Sequence, residues 1–359
     1  MGYMLMKILF VTQTTPDGLS DIVYSGLKKM SNVSIHEYPF KTYYHANLLP
    51  YELNGISYDS VPVPKPSWLK QNHTIEKTYD NASEIDLDDY DYVVLSTLQK
   101  EIDDLIYMIL NRAGEKLIFL DGDDSPFYRL LIRQTKFYFK REKYTSPVIS
   151  SLTMGKYQYL MWYYRARNSV KDASWHTFPI PQIAIPPKRS NSLNFTVLHH
   201  EYKKENDKDI DVSLIGRLTN WSRIKFVNKL KLIGKTHGLN ICVNNKGVSP
   251  EEYVSIIQRS KIAISLPGAG YDTFRYWEIP YYGTCLLSQR LPIEIQDNFI
   301  NGVSALFFNG ERDMEQSILQ ALKGDQYEEI AKNGKVFFEK YHTDVKRAGR
   351  LLEVLEGNS

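Results

Sequence analysis

Apolar residues recur along this chain with two different periods, and the switch between them predicts its elements. Lys7–Gln13 (KILFVTQ) is a compact apolar run of strand length. The loop Thr14–Gly18 follows, then an amphipathic helix from about Leu19 to Met30 and a strand over Val33–Tyr38. Strand, helix and strand in that order open a doubly wound parallel sheet. Residues 41–90 keep no period, hold several prolines and turn acidic toward their end at Glu84, Asp86, Asp88 and Asp89. A strand over Asp91–Ser96, a helix over Glu101–Asn111 and a strand over Lys116–Leu120 resume the series, and the last runs into Asp121-Gly122-Asp123-Asp124.

Residues 179–195 (PIPQIAIPPKRSNSLNF) hold four prolines, which places a domain linker there or just beyond. A second α/β series follows. Strands are predicted over 210–216, 239–244, 261–266, 284–288 and 303–308, with helices over 222–236, 250–259 and 272–282. The helix at 250 has a clear start: Ser249 as cap, Pro250 in the first turn, then Glu251 and Glu252. Helical segments over 311–322, 325–340 and 343–356 close the chain. The expected organisation is an N-terminal Rossmann-like domain over 1–190, a C-terminal one over 191–340, and a final helix over 341–359 that crosses back to the first domain.

Composition narrows the class. A chain of 359 residues favours two domains over one core. Hydrophobic content of 43% and charged content of 24% are ordinary for a soluble globular protein. A net charge of +2 argues against a wholesale nucleic-acid binder. No apolar run approaches the ~20 residues of a membrane span, and MGYMLMKILFV lacks the small-residue cleavage site of a signal peptide. Cys242 and Cys285 sit isolated in apolar runs, which fits a reducing cytoplasm.

The densest chemistry lies in 261–289, KIAISLPGAGYDTFRYWEIPYYGTCLLSQ. A buried strand, a glycine turn, a polar helix start and a second strand are how an α/β sheet builds an anion-binding crevice. Gly268 and Gly270 allow close backbone approach, Arg275 and Arg217 supply charge for a diphosphate, and Glu278 offers a bidentate acceptor for a ribose diol. The alternative is a surface pair of Arg275 and Glu278 at i,i+3, worth a few tenths of a kcal/mol.

The C-terminal half resembles the spore-maturation-protein-like glycosyltransferases of the broader group-1 family, which have the GT-B fold. The resemblance rests on DVSLIGRLTNWSR (211–223), SPEEYVSIIQRSKIAIS (249–265), GYDTFRYWEIPYYGTCLLSQ (270–289) and YHTDVKRAGRLL (341–352), with YFKRE (138–142) as an outlier in the first half. It implies two Rossmann-like domains facing a central cleft, with the closing helices packed back on the N-terminal domain. It implies transfer of a hexose-type sugar from a nucleotide-diphosphate donor, of the uridine or guanosine type, to an acceptor hydroxyl, with no further cofactor. Gly216 and Arg217 would face the cleft, and Arg223 matches a recurrent arginine. Tyr271, Asp272 and Thr273 would lie near the diphosphate, and Glu278 on the nucleotide ribose. The family commonly places a glutamate eight residues before that one, where this chain has Gly270.

Other groups compete for the chemistry. In FLDGDDSP (119–126), Asp121 and Asp123 read as a strand-end turn with an Asp or Ser helix cap, as the base that deprotonates the acceptor, or as an Asp-x-Asp metal site. The last would make the protein a metal-dependent transferase. Asp17 follows the first strand on the acceptor side, in a loop that also reads as a plain turn. His199 and His200 lack metal-ligand spacing.

Residues 127–171 carry ten lysines and arginines against one acid, Glu142, with interleaved aromatics. This reads as a helix whose basic stems cover aromatic core, or as a surface for an anionic acceptor: a phosphorylated or lipid-linked glycan, a lipid headgroup at the inner membrane face, or nucleic acid. A non-catalytic module of the same fold, holding a polyanion there, is the rival from outside enzymology.

Overall fold

A computed structural model describes residues 5–12, 18–38, 77–78, 82–96, 104–122, 135–143, 145, 176–179, 208–218, 221–246, 248, 250–268 and 270–357. The predicted linker over 179–195 lies almost wholly outside the described residues, as do His199, His200, Asp17 and Asp123.

The N-terminal domain is a parallel sheet of seven strands in the order β3-β2-β1-β4-β5-β6-β7. These are β1 (Met6–Val11), β2 (Val33–Tyr38), β3 (Lys77–Thr78), β4 (Tyr92–Ser96), β5 (Leu117–Asp121), β6 (Phe137–Lys140) and β7 (His176–Pro179). Helix α1 (Gly18–Lys28) joins β1 to β2, and α2 (Asp104–Arg112) precedes β5. Successive residues of a strand point to opposite faces. Thus Ile8 and Phe10 enter the core under α1, whereas Leu9 and Val11 enter the core that holds Ile109 of α2. A sheet buried on both faces needs near-continuous apolar strands, and that is why these runs stand out in the sequence.

One expectation is corrected here. Residues 137–140, read from their basic and aromatic mixture as helical, form β6, a strand paired in parallel with β5 and buried along its whole length. Lys140 does not reach water over the aromatic core. Its ammonium lies 3.1 Å from Asp121 Oδ2, with both side chains buried.

The C-terminal domain is a five-stranded parallel sheet in the order β12-β11-β10-β8-β9. Its strands are β8 (Ile210–Ile215), β9 (Ile241–Asn244), β10 (Ser260–Ser265), β11 (Cys285–Gln289) and β12 (Leu306–Phe308). Helices α3 (Trp221–His237), α4 (Pro250–Arg259) and α5 (Phe274–Tyr281) link them. Then come α6 (Glu311–Leu322), α7 (Gln326–Tyr341) and α8 (Asp344–Leu355). The predicted elements recur with ends moved by at most three residues. The strand predicted from 303 is shorter, because Gly302, Val303 and Ser304 form a turn that hydrogen bonds back to Ile300 and Ala305.

The last helix crosses to the first domain. Ala348, Leu351, Leu352 and Leu355 of α8 share one core with Val23 and Leu27 of α1 and with Ile8 and Phe10 of β1. Gly26 makes the close approach possible: a Cβ there would lie 2.3 Å from the Asp344 carbonyl oxygen. The buried Asp344 carboxylate pairs with Lys29 and accepts a hydrogen bond from Ser25 Oγ at 2.8 Å. Ile22, also on α1, packs into the C-terminal core with Trp277 and Phe338. The fold class expected from the sequence is the one observed: two Rossmann-like parallel α/β domains, with the closing helix packed on the first.

Candidate functional site

In open α/β sheets ligands bind beyond the carboxyl ends of strands, where the strand order reverses. In the C-terminal sheet that point lies between β8 and β10. Two loops meet there: Gly216 to Leu218 after β8, and Leu266 to Thr273 between β10 and α5.

Arg223, on the first turn of α3, fastens these loops together. Its Nε donates to the Pro267 carbonyl at 2.7 Å, Nη1 to the Arg217 carbonyl at 2.7 Å and Nη2 to the Leu266 carbonyl at 2.9 Å. Burial, with Arg275 nearby, pushes its pKa down to about 10. This places Arg223 as the residue that shapes the loops. Gly268 packs against it: a Cβ there would lie 2.8 Å from Arg223 Nη2. The Gly268 N–H donates to the Gly270 carbonyl at 2.7 Å, closing the turn.

Arg275 lies on the first turn of α5, half-buried over the end of β8. A Cβ on Gly216 would come within 3.0 Å of its guanidinium, and Gly216 has a positive φ of 151°. Both its backbone and its lack of a side chain therefore admit Arg275. Among the described residues Arg275 has no carboxylate within ion-pair distance. Arg217 is exposed beside it.

Glu278 is one helical turn further on and only 6% exposed. Its Oε2 accepts the Tyr253 hydroxyl of α4. Burial raises its pKa, while the Tyr253 hydrogen bond and the Arg275 charge oppose the rise. The alternative of a surface Arg275–Glu278 pair is thereby corrected: the carboxylate is buried, and the two make no ion pair. The Thr273 hydroxyl, at the cap position of α5, is 3.1 Å from Ser265 Oγ and makes no capping hydrogen bond to the helix.

Tyr271 and Asp272 face the other domain. The Glu142 carboxylate, just past β6, accepts both of their backbone N–H groups, that of Asp272 at 3.1 Å. Arg141 Nε lies 3.2 Å from the buried Asp272 Oδ1. Sequence reasoning placed Arg141 only in the basic stretch 127–171 and in YFKRE, and gave neither Glu142 nor Tyr253 a role of its own. The signal for Glu142 was its being the one acid among ten cations in 127–171.

On the N-terminal side Asp121 is the last residue of β5 and not part of a turn. Its carboxylate accepts the Tyr138 hydroxyl and pairs with Lys140. Within 127–171, Lys136 pairs with Glu115, Arg141 with Glu142 and Asp272, and Lys143 with Glu294. The other cations of that segment lie outside the described residues. Among the described residues no group of three His, Cys, Asp or Glu side chains is placed to hold a metal. No described helix is long and apolar enough to cross a membrane.

Residues 196–353 match the family model described as glycosyl transferase-like. The chain is also similar to solved structures at low identity. One is the apo form of the lipopolysaccharide outer core galactosyltransferase WaaB: 13% identity over 99% of this chain and 100% of that one, TM-score 0.49. A second is HepE of Anabaena in complex with UDP-glucose: 11% identity over 98% and 100%, TM-score 0.47. A third is the UDP-GlcNAc 2-epimerase from Neisseria meningitidis bound to UDP-GlcNAc: 13% identity over 98% and 100%, TM-score 0.44. No curated protein matches the sequence.

Proposed function

We propose that the protein is a glycosyltransferase that takes a nucleotide-diphosphate sugar in its C-terminal domain and delivers the sugar to an acceptor hydroxyl in the interdomain cleft. The observation that carries this is Arg275: a half-buried guanidinium at the strand-order reversal, without an ion-pair partner among the described residues. A guanidinium held there offers an arriving anion charge-assisted hydrogen bonds in a partly desolvated site. Gly216 leaves room for it, and Arg217 adds a second cation from the facing loop. Glu278 supplies the hydroxyl-binding half of the site, one turn along the same helix. The glycosyl transferase-like match over 196–353 includes every one of these residues.

In the reaction, Arg275 and Arg217 hold the diphosphate and stabilise it as it departs with the bond to the anomeric carbon. The cleft orients that carbon toward the acceptor oxygen. The uridine or guanosine identity of the base, the hexose nature of the sugar and a glycan or lipid-linked acceptor are carried as parts of the proposal.

Titration with UDP, GDP and their sugar conjugates tests it, read as thermal stabilisation and calorimetric affinity. At least one conjugate is expected to bind the wild-type chain and to release its nucleoside diphosphate. Arg275→Ala and Glu278→Ala are expected to weaken that binding in a folded protein. Wild-type affinity in both variants would remove the site assignment.

A further inference from the structure

The chain leaving β6 departs from its own domain and lies on the other one. Lys143 Nζ meets Glu294 Oε2 at 2.7 Å. The Glu294 N–H donates to the Lys143 carbonyl at 2.7 Å, and the Thr145 N–H donates to the Pro292 carbonyl at 3.1 Å. Ahead of this strap, the Glu142 side chain enters the turn that leads into α5. Its Oε1 accepts the N–H groups of Tyr271 and Asp272 and lies 3.3 Å from Arg141 Nη2.

Consecutive backbone amides at the start of a helix form a cradle for an oxygen anion. Glu142 fills that cradle from across the domain boundary, and it fills it poorly. The residue is 0% exposed, yet Oε2 has no hydrogen-bond partner among the described residues. Asp272, equally buried, sets a second carboxylate beside it, with Arg141 shared between the two. Burial and Asp272 push the Glu142 pKa up to about 7, against the pull of Arg141. A carboxylate with one oxygen unpartnered among the described residues and a second carboxylate sharing its arginine is a weak occupant of an anion cradle. A diphosphate brings more charge and more acceptor oxygens to the same amides, with Arg275 on the helix they open.

We infer that Glu142 is an internal stand-in for an oxygen of the bound donor: it occupies the Tyr271 and Asp272 amides while the site is empty, and an anionic donor displaces it and frees the contacts that Lys143 and Thr145 make with Glu294 and Pro292. The identity of the displacing ligand rests on the donor reading above; the occupation of the amides does not. Donor binding and the grip between the domains then compete for one pair of N–H groups. Any state in which Glu142 holds them lowers apparent donor affinity by its population.

The test uses the full chain as wild type, Glu142→Ala and Glu142→Gln, the last keeping a carbonyl acceptor without the charge. Solution scattering gives the ligand-free radius of gyration, and calorimetry gives affinities for UDP, GDP and inorganic pyrophosphate. Glu142→Ala is expected to be more expanded than wild type without ligand and to bind the anions about five- to tenfold more tightly, with Glu142→Gln between the two. Wild-type dimensions in Glu142→Ala, or equal or weaker anion binding in both variants, would overturn the inference. Tighter pyrophosphate binding in Glu142→Ala, with no nucleotide binding in any form, would uphold the stand-in and remove the nucleotide donor. Nucleotide binding that neither variant improves would do the reverse.

Discussion

The carboxyl ends of the two sheets differ in how they treat charge. At the N-terminal end Asp121, Lys140 and Glu142 are buried, Arg141 is half-buried, and the four pair with one another or reach across to Asp272. At the C-terminal end Arg223 is spent on three backbone carbonyls, and Arg275 has no carboxylate within ion-pair distance among the described residues. Burying a charge costs several kcal/mol unless it is compensated. The first end is therefore built as structure and as a domain contact. The second keeps a half-buried cation, Arg275, with no carboxylate within ion-pair distance among the described residues.

Lys140→Met separates the two ends most strongly. It leaves Asp121 buried without its cation, and loss of about 3–5 kcal/mol of stability is expected by urea denaturation. A much smaller loss would mean that Asp121 does not depend on the pair for its place in the fold. Arg275→Ala is expected to act on the other end alone. It should cost about 1.5–3 kcal/mol of nucleotide affinity by calorimetry, with stability changed by no more than about 0.5 kcal/mol. A stability loss without an affinity loss would reverse the assignment. Gly216→Ala is expected to push the Arg275 guanidinium aside and to strain a positive-φ backbone. About 1 kcal/mol of both stability and nucleotide affinity should go together.

The smallest signal is a slope with pH. Glu142 in the folded chain titrates near 7, above the ordinary 4.5. The native state thus binds more protons than the unfolded chain between those values, and stability falls as pH rises from about 4.5 to about 7, then levels. Asp272 and Arg141 are the charged groups facing it. Glu278, also raised, contributes in the same direction, so the difference between wild type and Glu142→Gln isolates the effect. Urea midpoints at pH 5, 6, 7 and 8 should show a shallower fall in the variant. Parallel curves would deny Glu142 its raised pKa.

Much of the fold was legible because parallel strands buried on both faces leave uninterrupted apolar runs. Leu117–Asp121, Ser260–Ser265 and Cys285–Gln289 are of that kind. Residues 137–140 were misread because a buried strand that ends in lysine looks like an amphipathic surface until Asp121 is placed beside it. In the site, Gly216, Arg275 and Glu278 were visible as a strand end and a helix face sharing one crevice. Glu142 and Tyr253 were not, since their partners lie 129 and 25 residues away in sequence.

The sequence by itself determined the two α/β series, the helix start at Pro250, and the placing of Arg275 and Glu278 on one helix face. These follow from local periodicity and from i,i+3 spacing, which need no tertiary partner. Only the tertiary structure decided which charges are compensated. It paired Lys140 with Asp121, spent Arg223 on carbonyls, brought Glu142 to the Tyr271 and Asp272 amides and left Arg275 without an acid among the described residues. The free energy of a charge depends on what surrounds it in space, and chain order does not carry that information.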